Sequence, residues 1–582
     1  MKNPTLFRRN AMRSWSTSWL LWGCIAAILL WLLIVMKISN RVNLADMQQP
    51  SHDITDLLTR LEGALKEVRD LKSENREIKA LLKSTNQTNR ISYSERQAEQ
   101  QAVLVKPLEH PKSDLYTKNH EVARRDLDNL IRELFFYLFD QVHKHENNAD
   151  FTVFGKRVIN QSISLMSQSL NFGTLVDETA NWHRIELQKL TDHIQKRIYN
   201  IQHPESCSKV NVLVCDLNKG CGFGCQLHHV GYCLTVAAAS NRTLVLDRDG
   251  DGWRYSKHGW TAVFEEISSC KYADAVPSGT HIEAWNSVDQ MERVTSLTIV
   301  EALQKRPAQL PLSFPKELAD QLLTHHSYPP VFFVGQFVWY LMRSNQHMQE
   351  ILSKAASHIP FGEGPIVGLQ IRRTDKIGTE AAYHSVEEYV RWAEVWFQIQ
   401  ERRFLPPRKI KRRVFIATDD PNAVKEAKEK FPNYEVYADE GIAKSAQVAN
   451  RYTDASLYGV VTDVRMLSKC DFLVCTFSSQ VCRVGYELMQ IEKGDAGDWF
   501  HSLDDVYYYG GQHAHDQVVI EPHEAADSEE IDLKVGDMVG IAGNHWDGYS
   551  KGTNRRTGKY GLYPSYKVRE NWRIVDFPIF AL

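Results

Sequence analysis

The stretch IVGLQIRRTDKIGTE, residues 366–380, sets the reading of this chain. Ile366 to Ile371 has the length and bulk of a strand buried on both faces, and Arg372, Arg373 and Lys376 fall within five positions directly behind it. Guanidinium forks grip phosphate oxygens bidentately and an ammonium adds a compact charge, so this cluster reads as an anion site. Glu380 places a carboxylate close behind. The competing reading is an exposed charged turn, but in open α/β sheets ligands bind outside the carboxyl ends of the strands.

Working outward, short apolar runs alternate with helical stretches from Val210 onward, the pattern of parallel strands in an α/β fold. Val414 to Thr418 ends in Asp419 and Asp420, a pair suited to ribose, a metal, or water alone. Phe472 to Thr476 ends in Phe477, Ser478, Ser479 and Gln480 before a helix, where backbone and hydroxyl donors can meet an anion. Asp247, Asp249, Asp251 and Gly252 copy the opening of an EF-hand loop. The twelfth position is His258, and the strand-like run Thr243 to Leu246 precedes it, so calcium is rejected in favour of a surface turn.

At 582 residues with 43% hydrophobic content, two or three domains are expected, and a formal charge of -3 leaves no basic field for nucleic acid. Trp19 to Met36 carries no charge and is long enough to cross a thin bilayer, and Lys2, Arg8, Arg9 and Arg13 in front of it place residues 1–18 in the cytoplasm. No small-residue cleavage site follows, which favours an anchor at 19–36 over a signal peptide. Nine cysteines would then face an oxidising lumen, an odd number, with Cys470 the candidate buried thiol. Zinc on Cys221, Cys225, His228 and His229 is the weaker reading, because the spacing is atypical and the compartment oxidising.

Residues 37–120 read as a stem. Within it, at about 54–83, Ile54, Leu58, Leu61, Leu65 and Val68 form a heptad seam that resumes at Leu71, Asn75, Ile78 and Leu82. A coiled coil joining two copies is expected, the alternative being one amphipathic helix packed on its own domain. Thr85 to Gln101 reads as linker. Apolar stripes at Leu127 to Phe139 and Trp182 to Ile198 predict two helices within a helical region, 121–205. Pro307, Pro311 and Pro315 read as a loop, since their spacing of four is not PxxP.

The tail has short strands and tight turns at Val518–Ile520, Ile531–Leu533, Gly536–Ile541 and Gly561–Val568, which predicts a small β-barrel at 512–573. Gly561, Leu562, Tyr563, Pro564, Ser565, Tyr566, Lys567 and Val568 resemble the last strand and turn of SH3 domains, although the N-terminal Ala-Leu-Tyr-type box is missing.

In order and spacing, Asn218–His229, Arg372–Ala382, Ala417–Pro421, Asp471–Val484, His501–Tyr508 and Gly543–Val568 resemble the eukaryotic α-1,6-fucosyltransferases that act on the N-glycan core. The resemblance implies a GT-B-related catalytic region, with an open α/β subdomain at 206–365 and a Rossmann-like donor subdomain at 366–505. It implies GDP-fucose as donor, no metal or other cofactor, inversion, N-glycoproteins as acceptors, and a single-pass Golgi membrane setting with the catalytic part lumenal. Glu380 matches the catalytic base; Arg372 and Arg373 match donor-phosphate ligands, with Lys376 and Asp375 near the leaving group. Asp463 matches a guanine ligand; Tyr255, Phe223, Ser479 and Gln480 would line the donor pocket, and Asp419 and Asp420 would support it. Gln370 stands where vertebrate members carry histidine. Lys219, Asp504, Asp505, Tyr508 and His545 match acceptor positions. The implied disulfides are Cys207–Cys270, Cys215–Cys233, Cys221–Cys225 and Cys475–Cys482. A different GDP-sugar transferase, such as an O-fucosyltransferase, and a non-catalytic Golgi scaffold or lectin are the alternatives.

Overall fold

Runs of buried, mostly apolar residues build the central strands of two parallel sheets. The computed structural model describes residues 117–145 and 149–580, apart from 218, 286–291, 298–299, 301–302, 304–305, 376, 379–380, 512 and 514. The expected tail, anchor, stalk seam and linker, and also Lys376 and Glu380, lie outside the described residues.

Among the described residues three helices come first, Lys118–Lys144, Ala149–Asn171 and Thr179–Gln202. The second was not among the stripes read from sequence. The first also turns differently from its stripe: Phe135 and Phe136 are buried with Ile163 and Ile399, whereas Leu127, Leu130 and Leu134 are exposed.

The first sheet contains β1 (Val212–Cys215), β2 (Thr243–Leu246), β3 (Glu283–Ala284) and β4 (Val294–Leu297), in the order β2-β1-β4-β3 and parallel throughout. Strand addition changes side between β1 and β4, which opens a crevice at their carboxyl ends. A short strand, β5 (Ser313–Pro315), then follows.

The second sheet contains β6 (Val367–Ile371), β7 (Arg413–Thr418), β8 (Glu435–Tyr437), β9 (Phe472–Cys475) and β10 (Phe500–Ser502). Its order, β10-β9-β6-β7-β8, is all parallel and doubly wound, with the switch point between β6 and β9. The residues behind β6 and β9 are therefore the ones a ligand can reach.

The two α/β units meet through the helices Phe223–Ala239 and Gln480–Lys493. His228 Nε2 lies 3.0 Å from Glu487 Oε2, and the Tyr507 hydroxyl donates to Glu487 Oε1 at 2.7 Å, all of them buried. A methyl at Gly224 would lie 2.9 Å from Gln480 Cβ, so glycine is what lets these helices approach.

The barrel contains β11 (His515–Val519), β12 (Met538–Asn544), β13 (Tyr549–Asn554), β14 (Tyr560–Pro564) and β15 (Val568–Glu570), in the antiparallel order β14-β13-β12-β11-β15. Two expectations are corrected. Ile531–Leu533 is no strand: this segment makes only isolated bridges, Leu533 to His523 and Glu530 to Leu562. Gly561–Val568 is interrupted by the turn Ser565–Lys567. Finally β16 (Arg573–Val575) pairs in parallel with β5, so Pro315, read as loop, ends a strand.

Candidate active site

The loop behind β6 is held by carboxylates. Asp419, buried at the end of β7, accepts from the backbone N–H of Arg373 at 2.9 Å and of Thr374 at 3.1 Å, from the Thr374 hydroxyl, and from Arg372. Asp420 caps the helix Pro421–Lys430, accepting from Asn422 N–H at 3.0 Å. Arg373 turns toward that helix, pairing with Asp420 at 3.3 Å and Glu426 at 3.0 Å under the Tyr383 ring. Asp419, Asp420 and Arg373 thus hold the loop in place.

Arg372 points the other way and meets Asp375, whose second oxygen lies 2.8 Å from Arg451 Nη2. Burial pushes the Asp375 carboxyl up, but the Arg372 and Arg451 guanidiniums outweigh it and hold the group below the usual carboxylate range. At the switch point two guanidiniums therefore flank the Asp375 carboxylate, with Arg372 also bound by Asp419.

The facing wall comes from the first sheet. Tyr255 is buried, edge-on to Phe223 at 6.1 Å and to Tyr452 at 5.2 Å. Burial pushes its phenol up to about 12, against the pull of Arg451, the Phe223 backbone and Arg372, so these groups share one space. Tyr452 also carries Arg254 over its ring at 4.5 Å and donates to Cys221 O at 3.4 Å.

Several polar groups here are buried without a protein partner among the described residues. They include Gln370 Oε1 on β6 and Gln480 Oε1 behind β9. Asp463, on the helix Asp454–Lys469, is 8% exposed, and burial, with Asp439 adding to it, pushes its carboxyl well above the usual range. Ser479 is buried at the head of the helix Gln480–Lys493 with no capping bond from its side chain. Buried acceptors want donors, and a ligand rich in N–H would supply them.

The residues read as acceptor contacts lie behind β1 (Lys219), behind β10 (Asp504, Asp505 and Tyr508) and just past β12 (His545). Asp504 accepts from Ser502 Oγ at 3.0 Å and from Asp505 N–H at 2.6 Å, so its placement is fixed from β10. Tyr508 lies on the Arg483 guanidinium at 3.9 Å and accepts from it through its carbonyl at 2.8 Å. A methyl at Gly543 would stand 3.8 Å from Asp505 Oδ1, which brings the barrel turn bearing His545 beside Asp505. Lys219 sits on the loop behind β1, its carbonyl accepting from Gln226 at 2.7 Å.

All four expected disulfides form, and Cys470 is a buried thiol. The cluster Cys215, His229 and Cys233 has both sulfurs tied in a disulfide, and so does the Cys221–Cys225 pair, which removes the zinc reading of those thiolates. Asp247–Gly250 is a short turn in which Asp249 accepts from Tyr272 N–H at 2.8 Å.

Arg451 and Tyr452 were missed by the sequence reading. Their only local signal is an Arg-Tyr pair ahead of Thr453, which caps a helix.

Comparison with known proteins adds identity to this geometry. The family model described as "Alpha-(1,6)-fucosyltransferase N- and catalytic domains" matches residues 12–508, and a variant SH3 domain matches residues 519–569. The curated α-(1,6)-fucosyltransferase of Caenorhabditis elegans is 52% identical over 458 residues, 78% of this chain and 80% of that one. Its Drosophila melanogaster counterpart is 45% identical over 400 residues, 69% of this chain and 63% of that one. Among solved structures, the fucosyltransferase NodZ from Bradyrhizobium is similar over 48% of this chain and 92% of its own, at 12% identity and a TM-score of 0.29.

Proposed function

Since the chain belongs to the α-(1,6)-fucosyltransferase family, we propose that it moves fucose from GDP-fucose to the 6-hydroxyl of the Asn-linked GlcNAc of N-glycans, with inversion. The observation that carries the donor reading is Asp375 held between Arg372 and Arg451 at the switch point. A carboxylate gripped by two guanidiniums stands where a diphosphate oxygen can be gripped by the same forks. Gln370 Oε1, Gln480 Oε1 and the Asp463 carboxylate supply acceptors for the N–H edge of a guanine.

In the reaction the acceptor hydroxyl attacks the anomeric carbon in line as the bond to GDP breaks, through an oxocarbenium-like state. Glu380 takes the hydroxyl proton. Arg372, Arg451 and Lys376 neutralise the charge that grows on the departing diphosphate, the task a divalent cation performs in other transferases. Asp504, Asp505, Tyr508, Lys219 and His545 orient the acceptor. Four disulfides support an oxidising compartment, and the apolar run 19–36 supports a Golgi membrane anchor with the catalytic part in the lumen. The stalk seam would join two copies.

The test is incubation of residues from about Ser51 onward with GDP-fucose and a GlcNAc-terminated N-glycopeptide in EDTA, followed by linkage analysis. Fucose on position 6 of the Asn-linked GlcNAc is expected. Activity lost in EDTA and restored by manganese would overturn the metal-free account, and fucose on a serine or threonine hydroxyl the acceptor assignment.

A further inference from the structure

Next to Tyr508, beyond the residues that surround the donor, lies a cavity of about 450 Å³. Its walls come from four separated segments: Arg306 to Leu312, Tyr508 to Asp516, Arg555 in the barrel, and the strip behind the barrel that carries Trp572 and Arg573. Three guanidiniums line it, and their partners differ. Arg555 is neutralised by Asp516, with contacts of 3.0 Å and 2.9 Å. Arg306 donates to the His513 ring, and Arg573 donates to the carbonyl of Leu310. Among the described residues neither Arg306 nor Arg573 has a carboxylate partner. The two also sense one another, since burial first and then Arg306 pull the Arg573 guanidinium below its usual range.

Two like charges lining one cavity repel unless an anion sits between them. Tyr508 and Trp572 add aromatic surface on which a sugar ring or a peptide stem can rest. Tyr508 is at the same time one of the residues read as touching the acceptor, so the cavity continues the acceptor side of the cleft.

We propose that this cavity is an acceptor subsite for a carboxylate carried by the glycoprotein beyond its core GlcNAc, gripped between Arg306 and Arg573. The carboxylate comes either from an acidic residue near the glycosylated asparagine or from an acidic sugar at the end of an antenna. This rests on the fucosyltransferase reading above.

The experiment uses the full chain in detergent at low ionic strength, where charge pairs are least screened, with three acceptors on one scaffold. One is neutral, one has an aspartate beside the sequon, and one has an acidic sugar capping an antenna. The wild-type protein is expected to favour one acidic acceptor by roughly tenfold in kcat/KM, carried by KM, the worth of one hydrogen bond to a charged group. In Arg306→Gln that ratio falls toward one, and Arg306→Lys, which keeps the charge, recovers part of it. The acceptor that shows the preference identifies the source of the carboxylate. No preference in the wild-type protein, or an equal loss on neutral and acidic acceptors in Arg306→Gln with an unchanged melting temperature, overturns the subsite. Absence of transfer to all three acceptors would instead remove the underlying reading, and the subsite with it.

Discussion

Arg451 Nη2 lies 2.8 Å from Asp375 Oδ2, a contact between two loops 76 positions apart in sequence. Arg372 meets the other oxygen of the same carboxylate, so a charge cluster that looks complete within residues 372–376 draws its third member from the segment ahead of the helix Asp454–Lys469. Donor binding is expected to exchange this carboxylate for phosphate.

Arg451→Ala should weaken GDP binding about tenfold, because one charge-assisted fork is lost. Calorimetric titration of GDP measures it; affinity equal to wild type would detach Arg451 from the donor.

Glu380→Gln should lower kcat by roughly 100- to 10,000-fold, the range for a general base, with GDP affinity retained. A full-rate variant would move the base elsewhere.

Glu133 sits on the first helix, 8% exposed, and burial pushes its carboxyl up to about 7, with Arg132 and Ser565 holding it back. An unfolded glutamate ionises near 4.3. Between these values the folded chain binds the extra proton, so stability falls as pH rises through the interval and the full deficit is present above about 7. Glu133→Gln should therefore leave stability near wild type at pH 4.5 and raise it at pH 8 by roughly 3 kcal/mol, read as a higher melting temperature at pH 8 only. Melting curves with equal gains at both pH values would contradict this.

Trp546 adopts φ +57 in the turn behind His545, and its ring packs edge-on against Phe136 at 5.7 Å and Phe500 at 5.9 Å. It also lies 5.4 Å from His501, which stacks on Trp392 at 3.6 Å. A bulky residue in the left-handed region is strained, and this packing holds it there. Trp546→Ala should cost about 3 kcal/mol and raise acceptor KM while GDP still binds. Thermal melts and acceptor titrations read the two effects separately.

Cys470 is the buried thiol, and burial pushes it well above the usual thiol range. In the chain from about Ser51 onward, maleimide should label no cysteine in the native state and one after denaturation without reductant. Two or more labels would break the disulfide set.

Much of the site was legible because strand ends are local. The apolar runs before Arg372, Asp419 and Ser479 announce buried parallel strands, and whatever follows such a strand faces the ligand side. β13 was missed for an equally local reason: Tyr-Ser-Lys-Gly-Thr-Asn offers no apolar alternation, and the strand is held by its partners on either side. Ile531–Leu533 has the composition of a strand, but its backbone makes only single bridges, which composition does not register.

The amino-acid sequence by itself determined the α/β class, the order of the strand-end clusters and the SH3-like tail, since apolar period and turn residues act over a few positions. Tertiary structure alone decided which charges meet. It turned Arg373 toward Asp420 and Glu426, brought Arg451 to Asp375, and set Arg306 and Arg573 in the lining of one cavity, neither with a carboxylate partner among the described residues. Those outcomes depend on how helices and loops far apart in the chain pack, and a charged side chain takes its role from the partner that packing delivers.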